Sequence, residues 1–131
     1  MRMSTRMTRS VVMAGVILLV VCLGSSAAFG QKATVLRVVV VKTEDPAAYA
    51  AEIEKGKQLM KSLGIQGQTR VWQARFAGPE AGMVVATIEY PSMAAFADAV
   101  AKTNASSEYQ AWIKGLDKVR KIVSDSLYSE W

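Results

Sequence analysis

The chain has 131 residues, a formal net charge of +5 and no histidine. Without histidine, Ser–His–Asp and Cys–His nucleophile systems, the usual zinc sites and His-ligated haem are excluded. The spacing of Asp and Glu offers no carboxylate-only metal site either, so neither a metal nor a cofactor is expected.

Residues 1–30 read as a secretory signal peptide. Arg2, Arg6 and Arg9 come first with no acid among them, residues 11–23 carry no charge, and "GSSAAFG" supplies small residues at the end. Cleavage after Gly30 or after Ala28 suits this order. An uncleaved anchor is the rival. At about 1.5 Å per residue the apolar run spans roughly 20 Å, short of a hydrocarbon core of about 30 Å. Val21 before Cys22 does not suit an acylated-cysteine site, which wants a small residue there. The expectation is export to a periplasmic or extracellular space, with membrane contact only through this segment. Its removal lowers the net charge to +2 and takes away the single cysteine. The basicity is thus largely a targeting signal, and no nucleic-acid partner is expected. Residues 31–131 are then one domain, long enough for a single core and without a disulfide.

A β-branched run over residues 35–42 predicts the first strand. Asp45 suits an N-cap and Pro46 the first helical position, so a helix follows to about Leu63, with Gly64 as a left-handed stop. Tyr49, Ile53, Gly56, Met60 and Leu63 form its apolar stripe. Residues 68–77 predict a second strand, Gly78 to Gly82 a hairpin connection, and "MVVATIEY" a third strand. Ser92 caps a second helix with Met93, Phe96 and Val100 inward. Ser107 and Gln110 make a capping box for a third helix, in which Tyr109, Trp112, Ile113 and Leu116 share a face. A last strand lies within "RKIVSDSLYSEW".

The chain also repeats itself. With Ala47 over Ala94, "AAYAAEIEK" lies on "AAFADAVAK", and each follows a β-branched run and a turn. The order β-α-β-β-α-(α)-β predicts a ferredoxin-like α+β sandwich, an antiparallel sheet with helices on one face. Each copy of the repeat supplies one strand and one helix.

The first strand is apolar on both sides, where a half-covered sheet should alternate. Leu36, Val38 and Val40 are assigned to the core with Ile53, Val84, Ile88 and Phe96. Val35, Val39 and Val41, joined by Val85, are assigned to a second, bare face, the mark of an interface or ligand groove. Arg37, Gln73, Arg75, Thr87 and Glu89 fall on that face in this register, and Arg37 or Arg75 is expected to pair with Glu89. Trp72 is expected to pack in the core with Ala74 and Phe76. Tyr109 and Trp112 border a pocket under the second helix. The candidate ligand-binding set is therefore Arg37, Trp72, Gln73, Arg75, Thr87, Tyr109 and Trp112, with no catalytic residue assigned.

This order of elements, the bare apolar face, the Trp-bearing helix before the last strand and the ending "SDSLYSEW" resemble the dimeric α/β-barrel superfamily. The resemblance covers about residues 33–131 and is closest in texture to antibiotic-biosynthesis-monooxygenase-like and NIPSNAP-like domains. It implies a homodimer with two sheets packed face to face, and a small cavity between sheet and helices that takes a small apolar ligand. The superfamily includes enzymes that oxidise small aromatic substrates without metal or flavin. That gives the alternative to a binding protein, but no motif here matches their catalytic residues position by position.

Overall fold

The computed structural model describes residues 33–131. The leader predicted over residues 1–30 lies outside the described residues. The elements run β1 (Val35–Lys42), α1 (Pro46–Ser62), β2 (Gln68–Gln73), a short 3-10 turn (Gly78–Glu80), β3 (Val84–Tyr90), α2 (Met93–Ala105), α3 (Ser107–Leu116) and β4 (Lys121–Ser129). The four strands form one antiparallel sheet in the order β2-β3-β1-β4. The two repeat copies thus supply the two central strands, each followed by its helix.

Local chemistry sets the boundaries. The Asp45 carboxylate accepts from the Ala48 N–H at 2.9 Å, and Pro46 opens α1. At the other end Gly64 takes φ 67°, and the Ile65 N–H donates back to the Met60 carbonyl at 3.0 Å. Both of those side chains are buried, which ties the helix stop to the core. Ser92 caps α2 by accepting from Ala95 N–H at 3.1 Å. The cap of α3 is Ser106, not Ser107: its hydroxyl accepts from Tyr109 N–H at 3.1 Å. Gln110 turns away from a capping box and donates to the Thr103 carbonyl at 3.0 Å. β2 also ends earlier than predicted, at Gln73: Ala74 still bonds to Met83 and Gly82, and the chain beyond it turns through Gly78 and Gly82, both at positive φ.

The register corrects the assignment of β1. Val41 lies opposite Val84, Val39 opposite Ala86 and Val35 opposite Tyr90. Odd residues of β1 therefore share a face with even residues of β3, and it is this face that the helices cover. One core cluster joins Val39, Val41, Val84 and Ala86 to Tyr49, Ile53 and Leu116. A second joins Val35 and Tyr90 to Met60, Ile65, Ala99 and Tyr109. Val84, Ile88 and Ile53 pack as predicted, Ile88 at the edge of the second cluster. Leu36, Val38 and Val40 instead point to the opposite face, where the first two are half-buried and only Val40 is closed off. The error has a physical source. A strand apolar on both sides carries no alternation to fix its phase; only pairing with β3 does. On α2 the buried position is Ala99, with Phe96 half-buried edge-on to Tyr90 at 5.4 Å, whereas Met93 and Val100 are exposed.

Candidate functional site

A cavity of about 60 Å³ lies between the covered face of the sheet and helices α1 and α3. Val39, Ala86 and Ile88 form its floor, and Tyr49, Gly56 and Trp112 line its helical side. Gly56 is needed there. A Cβ at this position would run into the ring of Trp112, and the Trp112 indole N–H donates to the Glu52 carbonyl at 3.1 Å. The missing side chain lets α3 seat its tryptophan flat against α1. Tyr109 stacks on Trp112 at 5.2 Å with a tilt of 57°.

The polar content of this cavity is concentrated on β1, β4 and α1. The Arg37 guanidinium makes a two-point contact with Asp125, Nε donating to Oδ1 at 2.9 Å and Nη2 to Oδ2. The hydrogen bond from Arg37 holds the Asp125 carboxyl below its ordinary range, and the same contact raises Arg37. Burial pushes the phenols of Tyr90 and Tyr109 up, against the opposing pull of Arg37. Both stay protonated, able to donate a hydrogen bond. Tyr49 is fully buried and its hydroxyl has no hydrogen-bond partner among the described residues. An unmade hydrogen bond of a buried hydroxyl costs about 1–3 kcal/mol.

The structure divides the predicted site residues into three groups. Arg37, Tyr109 and Trp112 line the cavity together. Arg37 was expected on the bare face beside Glu89, but it points to the helices and its acid is Asp125. Trp72 and Thr87 lie on the bare face, where the Trp72 indole N–H donates to Thr87 Oγ1 at 3.0 Å. Trp72 is 51% exposed and not in the core, and Phe76, expected beside it, is fully exposed in the loop. Gln73 ends the edge strand and Arg75 follows it; both are exposed and join neither group. Three residues of the cavity escaped the sequence reading: Tyr49, Asp125 and Arg120. Tyr49 was legible only as part of an apolar stripe. Asp125 left a signal, a lone acid inside an otherwise uncharged stretch of β4. Arg120 sat in "KVRK" and read as a solvated end.

The bare face has its own composition. Leu36, Val38, Val40, Val85 and Trp72 occupy its middle, Tyr128 stands 57% exposed toward the β4 edge, and Gln68, Arg70 and Glu89 lie at its rim. Among the described residues, no helix packs on this side, and no group of three or more His, Cys, Asp or Glu is placed to hold a metal ion.

No protein-family model matches the chain, and no curated protein matches it. Solved structures do. SnoaB, a cofactor-independent oxygenase from Streptomyces nogalater, is 13% identical with a TM-score of 0.57, over 76% of this chain and 94% of that one. A NIPSNAP family protein from Agrobacterium tumefaciens is 13% identical with a TM-score of 0.55, over 75% and 91%. The chain has the ferredoxin-like α+β fold that these two share.

Proposed function

We propose that this protein is an exported, dimeric binding protein whose cavity between the sheet and helices α1 and α3 holds a small, largely apolar molecule. The observation that carries this reading is the cavity itself, walled by Tyr49, Tyr109 and Trp112 over the apolar side chains of the sheet. The aromatic wall of Trp112 and Tyr109 supplies apolar contact. Export rests on the Arg-rich, apolar, small-residue order of residues 1–30.

The dimer rests on the bare face. Its apolar middle and polar rim have the anatomy of an interface. A two-fold partner presents the same patch and covers it isologously. Leu36, Val38, Val85, Trp72 and Tyr128 take the place that the sequence reading gave to Val35, Val39 and Val41, which are core.

The fold also carries a cofactor-independent oxygenase in SnoaB. That chemistry on a small aromatic substrate is the alternative reading of this cavity. Native mass spectrometry of the purified protein tests the proposal. The expected result is a dimer mass for a chain lacking about residues 1–30, with a small bound molecule that Gly56→Trp, which fills the cavity wall, displaces. A monomer with no adduct and an intact leader would sink all three parts at once.

A further inference from the structure

The strand order leaves β2 and β4 as the two edges of the sheet, and the edges differ. The pairing of β4 with β1 shifts register between Val40 and Val41, a bulge that blunts the β4 edge against further pairing. β2 keeps an unbroken register from Gln68 to Gln73. Just past it, the Ala74 N–H donates to the Met83 carbonyl at 2.9 Å and the Ala74 carbonyl accepts from Gly82 at 2.7 Å, so Ala74 turns its backbone to β3. Hydrogen bonding alternates along an antiparallel strand. The N–H and C=O groups of Thr69, Val71 and Gln73 therefore point outward, to the edge. A groove of about 500 Å³ lies there, between β2 and the flank of α1, with Met60 and Ile65 as its apolar floor. Its charged lining is Lys57, Lys61 and Arg70, and it includes no carboxylate. Lys57 is held by Glu54 at 2.8 Å, outside the groove, and Arg70 Nη2 donates to the neutral Gln68 Oε1 at 3.2 Å. Among the described residues, neither Lys61 nor Arg70 has an ion-pair partner.

We propose that the β2 edge takes an extended acidic peptide as a fifth strand, bonded to the backbone of Thr69, Val71 and Gln73 and paired through its carboxylates with Lys57, Lys61 and Arg70. This inference rests on neither the cavity nor the dimer. Strand addition is a common mode of peptide recognition, in which main-chain bonds supply affinity and alternate side chains supply specificity. The charge of the groove selects an acidic occupant. Basic side chains beside an edge discourage pairing in general, and a two-fold copy of this edge would set its cations against themselves. An acidic strand turns the same charges into attraction. A small anion would meet the cations but leave the row of backbone groups unpaired. The spacing also fits. Lys57 and Lys61, four residues apart, stand about 6 Å apart along α1, and side chains on one face of a strand recur at about 6.6–6.8 Å. Carboxylates at positions i and i+2 of the peptide thus meet the two lysines. The residue between them faces the other side of the sheet, where Arg70 lies opposite Thr87 in the register.

The test is a titration of the purified protein followed by ¹H–¹⁵N NMR, reading the backbone amides of Thr69, Val71 and Gln73. The probes are the end-blocked peptide Thr-Val-Glu-Glu-Glu-Val-Thr and its Gln-for-Glu counterpart, at constant ionic strength. Two further versions of the Glu peptide are N-methylated, each on one set of alternate residues. The expected result is that the Glu peptide moves the three amides and binds at least about tenfold more tightly than the Gln peptide, the factor that one charge-assisted bond supplies. Only one edge of an added strand faces β2, so one N-methylated version should lose binding and the other keep it. Lys61→Glu, at an exposed position, should lower the affinity for the Glu peptide at least tenfold, and Lys114→Glu, exposed on α3 away from the groove, should leave it unchanged. Equal binding of the Glu and Gln peptides would overturn the acidic assignment. Equal binding of the two N-methylated versions would overturn strand addition. No movement of the three amides at millimolar Glu peptide would overturn the site itself. The peptide comparisons need only the wild-type chain, so they stand even where Lys61→Glu does not fold.

Discussion

The two faces of this sheet start from nearly the same material. On β1 the covered side has Val35, Val39 and Val41, and the bare side has Leu36, Val38 and Val40. Their polar content differs. The covered face carries an ion pair, Arg37 with Asp125, each more than a third exposed, and an unpartnered buried phenol, Tyr49. The bare face has hydroxyls and a tryptophan in its middle, with its charges at the rim. An apolar middle with a polar rim suits a surface that another molecule covers. The proposed function gives the two faces two jobs on one sheet: ligand contact on the side of the helices, and association on the other.

The most damaging way to test this division is to place a charge on each face at neighbouring positions. Val39→Lys puts an ammonium into a site that is 7% exposed. An unpaired buried charge costs several kcal/mol out of a total of about 5–15, so this variant is expected to be largely unfolded by circular dichroism. Val38→Lys, one residue away, should fold normally and lose only the dimer. Sedimentation equilibrium at micromolar concentration reads that loss, with the wild type at twice the chain mass. If Val38→Lys unfolds and Val39→Lys does not, the assignment of the faces is inverted.

The next effect is confined to the covered side. Gly56→Ala drives a methyl into the Trp112 ring, an overpacking that costs about 1–3 kcal/mol. Thermal melting should fall accordingly, and the Trp112 fluorescence should shift as the indole moves. Gly115→Ala on α3 is the control. Nothing lies within 4 Å of a Cβ there, and alanine is favoured over glycine in a helix by roughly 0.5–1 kcal/mol, so this variant should melt higher.

The smallest effect is electrostatic. Arg37 lowers the Asp125 carboxyl in the folded state, so folding favours the ionised form. The stabilisation is present above the ordinary carboxylate range of about 4 and is lost as pH falls through the lowered value. Both side chains are more than a third exposed, which screens the pair and keeps the contribution modest. Melting temperatures from pH 2 to 6 should show a shallower acid-side fall in Asp125→Asn than in the wild type. Identical slopes would mean that the pair contributes nothing to stability.

What the sequence determined by itself is local. The β-branched runs, Asp45 with Pro46, Ser92 and the glycine at 64 each act within a few residues, so the order of elements and most of their ends follow from them directly. The repeat added the βα pairing, and that order carried the fold class. The tertiary structure decided what depends on distant partners. β1 has valine or leucine at six of its eight positions, all but Arg37 and the closing Lys42, so its phase was open until β3 paired with it. Arg37 met Asp125 rather than Glu89 because β4, 88 residues away in sequence, lies beside β1 with its acid on the covered face. Arg120 changed from a solvated end to a buried cation for the same reason. Its surroundings are made by α3, β4 and the sheet together, and no short stretch of the chain contains them.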